Sequence, residues 1–322
     1  MWIDQEQEVI DTHFAMGTVM THCLLGAQAE DCRDAIKKEI GFLERKLSRF
    51  ILDSDISLLN QYAGIKPVRI CPETLEVLYW AKNFSSICPD GFDVTIAPLV
   101  SLWNIGKSSF RIPDEDEICQ KLNLVNGQDL VLDHFHLTAA LNRLGQCIDL
   151  GAVGKGYTAN CLTEMFQRYQ LDGAYSNLGG NVIAYGRKPD GSPWRIGIQH
   201  PRKADELLGV VSIQDESVVS SGDYQRFSED SHGNYYHHIL DPRTGYPCRS
   251  EFTSVTILSQ DAMAADALST AVFVLGKDRG LELIKKLSKT EAILVDFDGK
   301  IAVTGGLKHR FLPAGNVSID LI

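Results

Sequence analysis

The sequence predicts an α+β protein, with largely antiparallel sheets flanked by helices, and three observations lead there. Apolar residues recur at helical spacing in a few stretches, as in Ile36, Ile40, Leu43, Leu47 and Phe50, at steps of 4, 3, 4 and 3. The second half is a succession of short β-prone runs cut by turn residues. Strands follow strands more often than they alternate with helices, which disfavours a regular βαβ repeat.

Element by element, residues 9–26 read as a strand pair around Met16-Gly17-Thr18, followed by a long helix over Glu30–Phe50. Ser54 heads a short helix through Leu58 and Leu59. Pro72, tolerated in a first helical turn, opens another through Leu75, Leu78 and Phe84, which stops before Pro89-Asp90-Gly91. A polar insertion with the acidic run Asp114–Glu117 leads to a hairpin around Asp133-His134. After a helix over Gly156–Leu171 come strands at Ala174–Asn177, Val182–Tyr185, Trp194–Gln199, Gly209–Ile213, Val218–Ser220, Tyr235–Leu240 and Phe252–Leu258. A helical pair, Asp261–Leu275 and Arg279–Leu287, precedes two closing strands. No repeat or long linker divides the 322 residues. One unit is therefore expected, or two closely packed α/β subdomains.

Composition removes whole classes of function. With 44% apolar and 23% charged residues the chain is globular, and a net charge of −11 offers no general attraction to phosphate backbones or anionic membranes. No nucleic-acid partner is expected. No apolar stretch approaches the roughly 20 residues of a bilayer span, so no membrane span is expected either. The opening MWIDQEQEVID is acidic where a secretory signal is basic and then apolar, which predicts a cytoplasmic protein. The eight cysteines contain no C-x-x-C pair and read as free, mostly buried thiols.

Three segments are candidates for chemistry. In Asp266-Ala-Leu-Ser-Thr270, positions i and i+4 share a helix face, so a carboxylate and a hydroxyl project side by side as hard oxygen donors of the kind Mg²⁺ takes. The same residues also suit a plain helix, with Asp266 solvated or capping. Asp149-Leu-Gly-Ala-Val-Gly-Lys-Gly156 runs glycines and Lys155 into a helix start, a setting for phosphate, although it lacks the Walker A spacing and a tight structural turn would use the same glycines. Asn177-Leu-Gly-Gly-Asn181 is a second loop of that type. His237-His238-Ile-Leu-Asp241-Pro-Arg-Thr-Gly245 ends a strand at a turn. Its Asp, Pro and Gly are turn residues, but turn geometry leaves the two histidines unexplained.

Taken together, the motifs resemble the FAD:protein FMN transferase (ApbE) family over nearly the whole chain. The resemblance runs through M-G-T at 16–18, S-R-F-I-L-D-S-D-I-S-L-L-N at 48–60, G-F-D-V-T-I-A-P-L-V-S-L-W at 91–103 and D-L-G-A-V-G-K-G-Y at 149–157. It continues through N-L-G-G-N-V at 177–182, S-S-G-D-Y-Q-R-F at 220–227, H-I-L-D-P-R-T-G at 238–245 and A-D-A-L-S-T-A at 265–271. The resemblance implies the family's flavin transferase fold, with the FAD site between the subdomains if there are two. It also implies a reaction in which FAD is split at its diphosphate, FMN passes to a threonine of an acceptor protein and AMP leaves.

Carried over position by position, the resemblance implies that Mg²⁺ is held by Asp266, Thr270 and the main-chain oxygen of Ala152, with Ser269 where some members place a further carboxylate. FAD would be contacted by Met16, Phe50, Gly91, Phe92, Asp93, Asp149, Lys155 and Ile239. His238 is the expected base, and His237 falls where the family shows no set residue. Many members carry an export signal or lipoprotein cysteine, which this chain does not show. An FAD diphosphatase, or a flavin-binding protein without turnover, remains the alternative.

Overall fold

The computed structural model describes residues 8–315 and 317–322. Most of the acidic opening that suggested a cytoplasmic chain, residues 1–7, lies outside the described residues. Among the described residues no helix is long and apolar enough to cross a membrane.

Strands β1 (Glu8–Ala15) and β2 (Thr18–Leu25) form the expected hairpin. Its turn residues Met16 (φ 49°) and Gly17 (φ 74°) are both left-handed, the geometry that matches a two-residue turn to the twist of its strands. For methionine that conformation is costly, and such strain tends to mark a site.

Helix α1 (Ala29–Leu47) buries Cys32, Ile36, Ile40, Leu43 and Leu47. Phe50 does not belong to that stripe. The helix stops at Leu47, and Phe50 stands 71% exposed in the turn beyond. The cause is Ser54, whose hydroxyl donates to the Ser48 carbonyl at 2.5 Å and accepts from Ser57 N–H at 2.9 Å, starting helix α2 (Asp55–Gln61) on a new axis.

Strand β3 (Val68–Arg69) and helix α4 (Ala97–Trp103) were not foreseen, being too short to show a period. Helix α3 (Pro72–Ile87) begins at its proline as expected. The acidic insertion is itself a helix, α5 (Glu115–Leu122), because the Glu117 carboxylate turns back to accept the Asp114 N–H at 3.0 Å. Strands β4 (Leu130–Asp133) and β5 (Thr138–Leu141) are the predicted hairpin.

Next come α6 (Gly154–Arg168), β6 (Gly173–Leu178), β7 (Asn181–Gly186), β8 (Trp194–Gln199), β9 (Leu207–Ile213) and β10 (Glu216–Gly222). They are followed by β11 (Phe227–Glu229), β12 (Tyr235–His237) and β13 (Phe252–Ser259). The two predicted helical segments are one element, α7 (Ala262–Lys285), broken at Gly276 (φ 77°, ψ −174°). Strands β14 (Thr290–Asp296), β15 (Ile301–Val303), β16 (Phe311–Pro313) and β17 (Ile319–Leu321) complete the chain.

Nine strands form the main sheet in the order β1-β2-β6-β7-β10-β13-β14-β15-β17, antiparallel except at β15–β17. Side chains alternate between its faces. Val219, Val255, Ile257 and Leu294 join the core formed with α3 and α7. Their neighbours Val218, Leu258, Ile293 and Val295 pack instead with the three-stranded sheet β16-β9-β8. Every residue of β13 is consequently buried. Toward the β1 edge, α1 and α6 cover Met20, Leu24, Ala174 and Leu178.

Candidate active site

A cleft of about 1290 Å³ opens where the β1–β2 and β6–β7 turns meet the starts and loops of the helical layer. It gathers Met16, Phe50, Gly91, Phe92, Asp93, Asp149, Ala152, Lys155, His238, Ile239, Asp266 and Thr270, residues drawn from six of the eight motif blocks. Ser269 is set apart. It is fully buried behind Thr270, and its hydroxyl donates to the Asp266 carbonyl at 2.8 Å and lies 2.7 Å from Ser221 Oγ.

The innermost wall is the crossing of α6 and α7. Gly156 makes it possible, since a Cβ there would lie 2.5 Å from the Ala262 carbonyl and 2.8 Å from Asp266 Cβ. At that approach the Gly156 N–H, one of the unpaired donors of the α6 start, donates to Asp266 Oδ2 at 2.9 Å. Burial raises the Asp266 carboxyl pKa, and Lys155 and the Gly156 N–H oppose the rise. Lys155 reaches toward the Gly179 carbonyl at 3.4 Å. Thr270, one turn beyond Asp266, lies 3.3 Å from Ser221 Oγ.

Nearby, Asn181 Nδ2 is buried and makes no well-formed hydrogen bond among the described residues, although the Asn181 amide faces the Asp266 carboxylate and also opposes the rise in its pKa. Among the described residues no three His, Cys, Asp or Glu side chains converge on a metal position. A cation here would rest on one buried carboxylate, the Thr270 hydroxyl and the Ala152 carbonyl. That donor set suits Mg²⁺, which takes its remaining ligands from water and phosphate oxygens.

The neighbouring glycine loop works differently from a phosphate cradle along its whole length. Gly179 (φ 70°) is required by contact, because a Cβ would meet Thr18 Oγ1 at 2.2 Å, whereas Gly180 (φ 100°) faces open space. The residues from 91 to 93 are likewise structural in large part. A Cβ on Gly91 would lie 2.7 Å from Cys88 Sγ and 2.9 Å from Leu275, and the Phe92 ring packs edge-on to Phe84 at 5.2 Å. Asp93 accepts from Thr95 N–H at 2.8 Å and from Gly127 N–H at 2.8 Å, which holds the loop.

The two histidines diverge at the end of β12. His237 is buried, donating from Nε2 to the Cys248 carbonyl at 2.8 Å and accepting the Ile239 N–H at Nδ1 at 3.3 Å. His238 faces the cleft and holds the Arg226 carbonyl at 3.1 Å through Nδ1. A carbonyl only accepts, so the proton sits on Nδ1 and Nε2 is left as an acceptor. Burial, with the Arg226 charge next, lowers its pKa to about 4, so the ring is neutral at pH 7.

The outer wall supplies residues that the sequence reading had not assigned. Arg49 pairs with Asp149 at 3.2 Å and its guanidinium lies 4.9 Å from the centre of the Phe50 ring, with Lys107 Nζ at 5.4 Å from the same ring. Glu44 accepts the Met16 N–H at 2.9 Å, which steadies the strained turn. Arg226 also lines the cleft. Arg49 and Arg226 lie inside the matched motif blocks, and only that position marked them.

Comparison with known proteins shows the family of the whole chain. The family model described as "ApbE family" matches residues 16–294. The chain is 35% identical over 262 residues to the FAD:protein FMN transferase of Klebsiella pneumoniae (strain 342), covering 81% of each chain. It is 33% identical over 275 residues to that of Treponema pallidum (strain Nichols), covering 80% of this chain and 75% of the relative. In structure it resembles the ApbE protein of Thermotoga maritima with a TM-score of 0.84 at 30% identity, covering 92% of this chain and 96% of the other. From the strained turn at Met16 to strand β14, in sequence and in fold, this chain belongs to the ApbE family.

Proposed function

We propose that the chain is an FAD:protein FMN transferase acting as one unit. It would split the FAD diphosphate with Mg²⁺, attach FMN to an acceptor threonine and release AMP. One observation carries this reading. In a single cleft a buried carboxylate with a neighbouring hydroxyl, a lysine at a helix start and a neutral histidine with a free Nε2 come together.

The reaction needs neutralised diphosphate charge, aligned groups and a base for a hydroxyl that is a poor nucleophile at pH 7. Asp266, Thr270 and the Ala152 carbonyl are the donors for Mg²⁺, which when bound neutralises the diphosphate and the leaving phosphate. Lys155 binds a phosphate oxygen, and Phe50 offers an exposed ring face to a flavin or adenine. His238 Nε2 takes the threonine proton as the threonine oxygen bonds to the FMN phosphorus and the bond to the AMP oxygen breaks. The Arg226 carbonyl on Nδ1 keeps the imidazole in the accepting tautomer. The eight free cysteines support a reducing, cytoplasmic setting.

To test this, the purified protein is incubated with FAD, Mg²⁺ and a threonine-bearing acceptor peptide. Flavin fluorescence should stay with the peptide after denaturing separation, and a chelator or a Thr→Val peptide should abolish it. Fluorescence that remains on the Thr→Val peptide would refute the assignment.

A further inference from the structure

Four Lys or Arg side chains line the cleft: Arg49, Lys107, Lys155 and Arg226. Arg49 is already paired with Asp149 at 3.2 Å, and Lys107 lies over the Phe50 ring. Arg226 differs from Arg49 in having no carboxylate within ion-pair distance among the described residues, although most other arginines of the chain are paired. An unpaired guanidinium in a cleft is an anion site in waiting.

Its position is built rather than accidental. Gly106 (φ 79°) clears the way for its stem, since a Cβ there would meet Arg226 Cγ at 2.4 Å and Cδ at 2.9 Å. The loop that carries it is pinned at several points. Buried Asp223 holds Arg202 through contacts of 2.6 and 2.7 Å, and the Asp223 carbonyl accepts from Tyr235 Oη at 2.7 Å. Gln225 Nε2 donates to the Ser220 carbonyl at 2.9 Å. The Arg226 carbonyl itself receives both the His238 N–H and Nδ1–H, each at 3.1 Å. The residue that orients the base therefore also carries the free cation beside it.

We propose that Arg226 is a further catalytic residue, its guanidinium gripping two oxygens of the phosphate under attack while its carbonyl aims His238. This deepens the flavin-transfer reading and rests on it. As the threonine oxygen bonds to phosphorus, the electron pair of the broken P–O bond leaves on AMP and the proton goes to His238 Nε2. Charge spreads meanwhile over the non-bridging oxygens, where a planar two-pronged donor fits better than a lysine.

Arg226→Met keeps the stem over Gly106 and removes the charge, and at this exposed position no core contact is lost. With FAD, Mg²⁺ and the threonine peptide, kcat should fall at least about 10²-fold, in line with arginines that act on transferring phosphoryl groups. The Kd for FAD, read by flavin fluorescence, should stay within about tenfold. Loss of the neighbouring cation should also move the acid limb of the residual rate to higher pH, which a merely structural role would not do. Added guanidinium should restore part of the rate to Arg226→Ala. A Met variant within about threefold of wild-type kcat, or one whose rate and FAD affinity fall in proportion, would overturn the proposal. If the wild type itself releases no AMP from FAD, it is the transfer reading that fails instead.

Discussion

The two walls of the cleft are made in opposite ways. The inner wall, where α6 crosses α7, is so closely packed that Gly156 has no room for a methyl group, and its functional side chain Asp266 is buried. The outer wall is loop: Phe50 is 71% exposed, and Lys107 and Arg226 reach in from segments outside the main sheet. In the proposed reaction the group that would hold an ion thus sits on a rigid element, and the ring that would meet a large flat ligand sits on an open one. Substitution of Asp266 on the inner wall should therefore act on turnover, and substitution of Phe50 on the outer wall on affinity. Arg226, an outer-wall residue proposed to meet the reacting phosphate, should instead act on turnover, and Lys155, on the inner wall but proposed to grip the diphosphate, on affinity.

Asp266→Ala is the most severe test, because it removes the only carboxylate of the proposed Mg²⁺ site. AMP release from FAD should fall to the detection limit at saturating FAD, and Thr270→Val should be milder since water can replace a neutral ligand. His238→Ala should lower flavin transfer at least about 10²-fold with FAD binding retained. His237→Ala should keep turnover per folded molecule. It leaves the Cys248 carbonyl without its donor, however, so chemical denaturation should show a loss of about 1–3 kcal/mol. If the two variants exchanged behaviour, the strand-end assignment would be wrong.

Affinity effects come next. Lys155→Ala should weaken FAD binding by about 1–3 kcal/mol in a fluorescence titration, and Phe50→Ala by less than about tenfold in Kd, the range for one stacked ring. A Phe50→Ala variant that lost kcat and kept Kd would undo the division between the walls. The smallest effect is on stability against pH. Burial lowers the pKa of both His22 and His238 to about 4. Between the ordinary histidine value of 6.5 and about 4 the unfolded chain binds protons that the folded chain refuses, so stability should fall as pH drops through that window. His22→Gln should flatten part of that slope in denaturation curves taken at several pH values.

How far these walls were legible in the sequence follows from the range of the signal. Asp266 and Thr270 were readable because one helix turn sets their spacing, and His237 and His238 because adjacent strand residues face opposite ways. Phe50 satisfied the helical period and yet left the helix, because Ser54 began a new one. Gly156 and Gly179 read as phosphate-cradling glycines, but their contacts are with Ala262, Asp266 and Thr18, partners distant in sequence. Asp93 carries no local mark of its loop-holding bond to Gly127. Arg226 was invisible for the same reason: its value lies in an absent partner and in Gly106, more than a hundred residues away.

The central claim is transfer of FMN, and the most direct test is the ratio of AMP released to flavin covalently attached in one reaction. The wild-type protein is mixed with limiting FAD, Mg²⁺ and excess threonine-bearing peptide, and both products are quantified by chromatography. One AMP per attached flavin, with little free FMN, is the predicted result. AMP matched by free FMN would make the chain a diphosphatase, and would contradict the account.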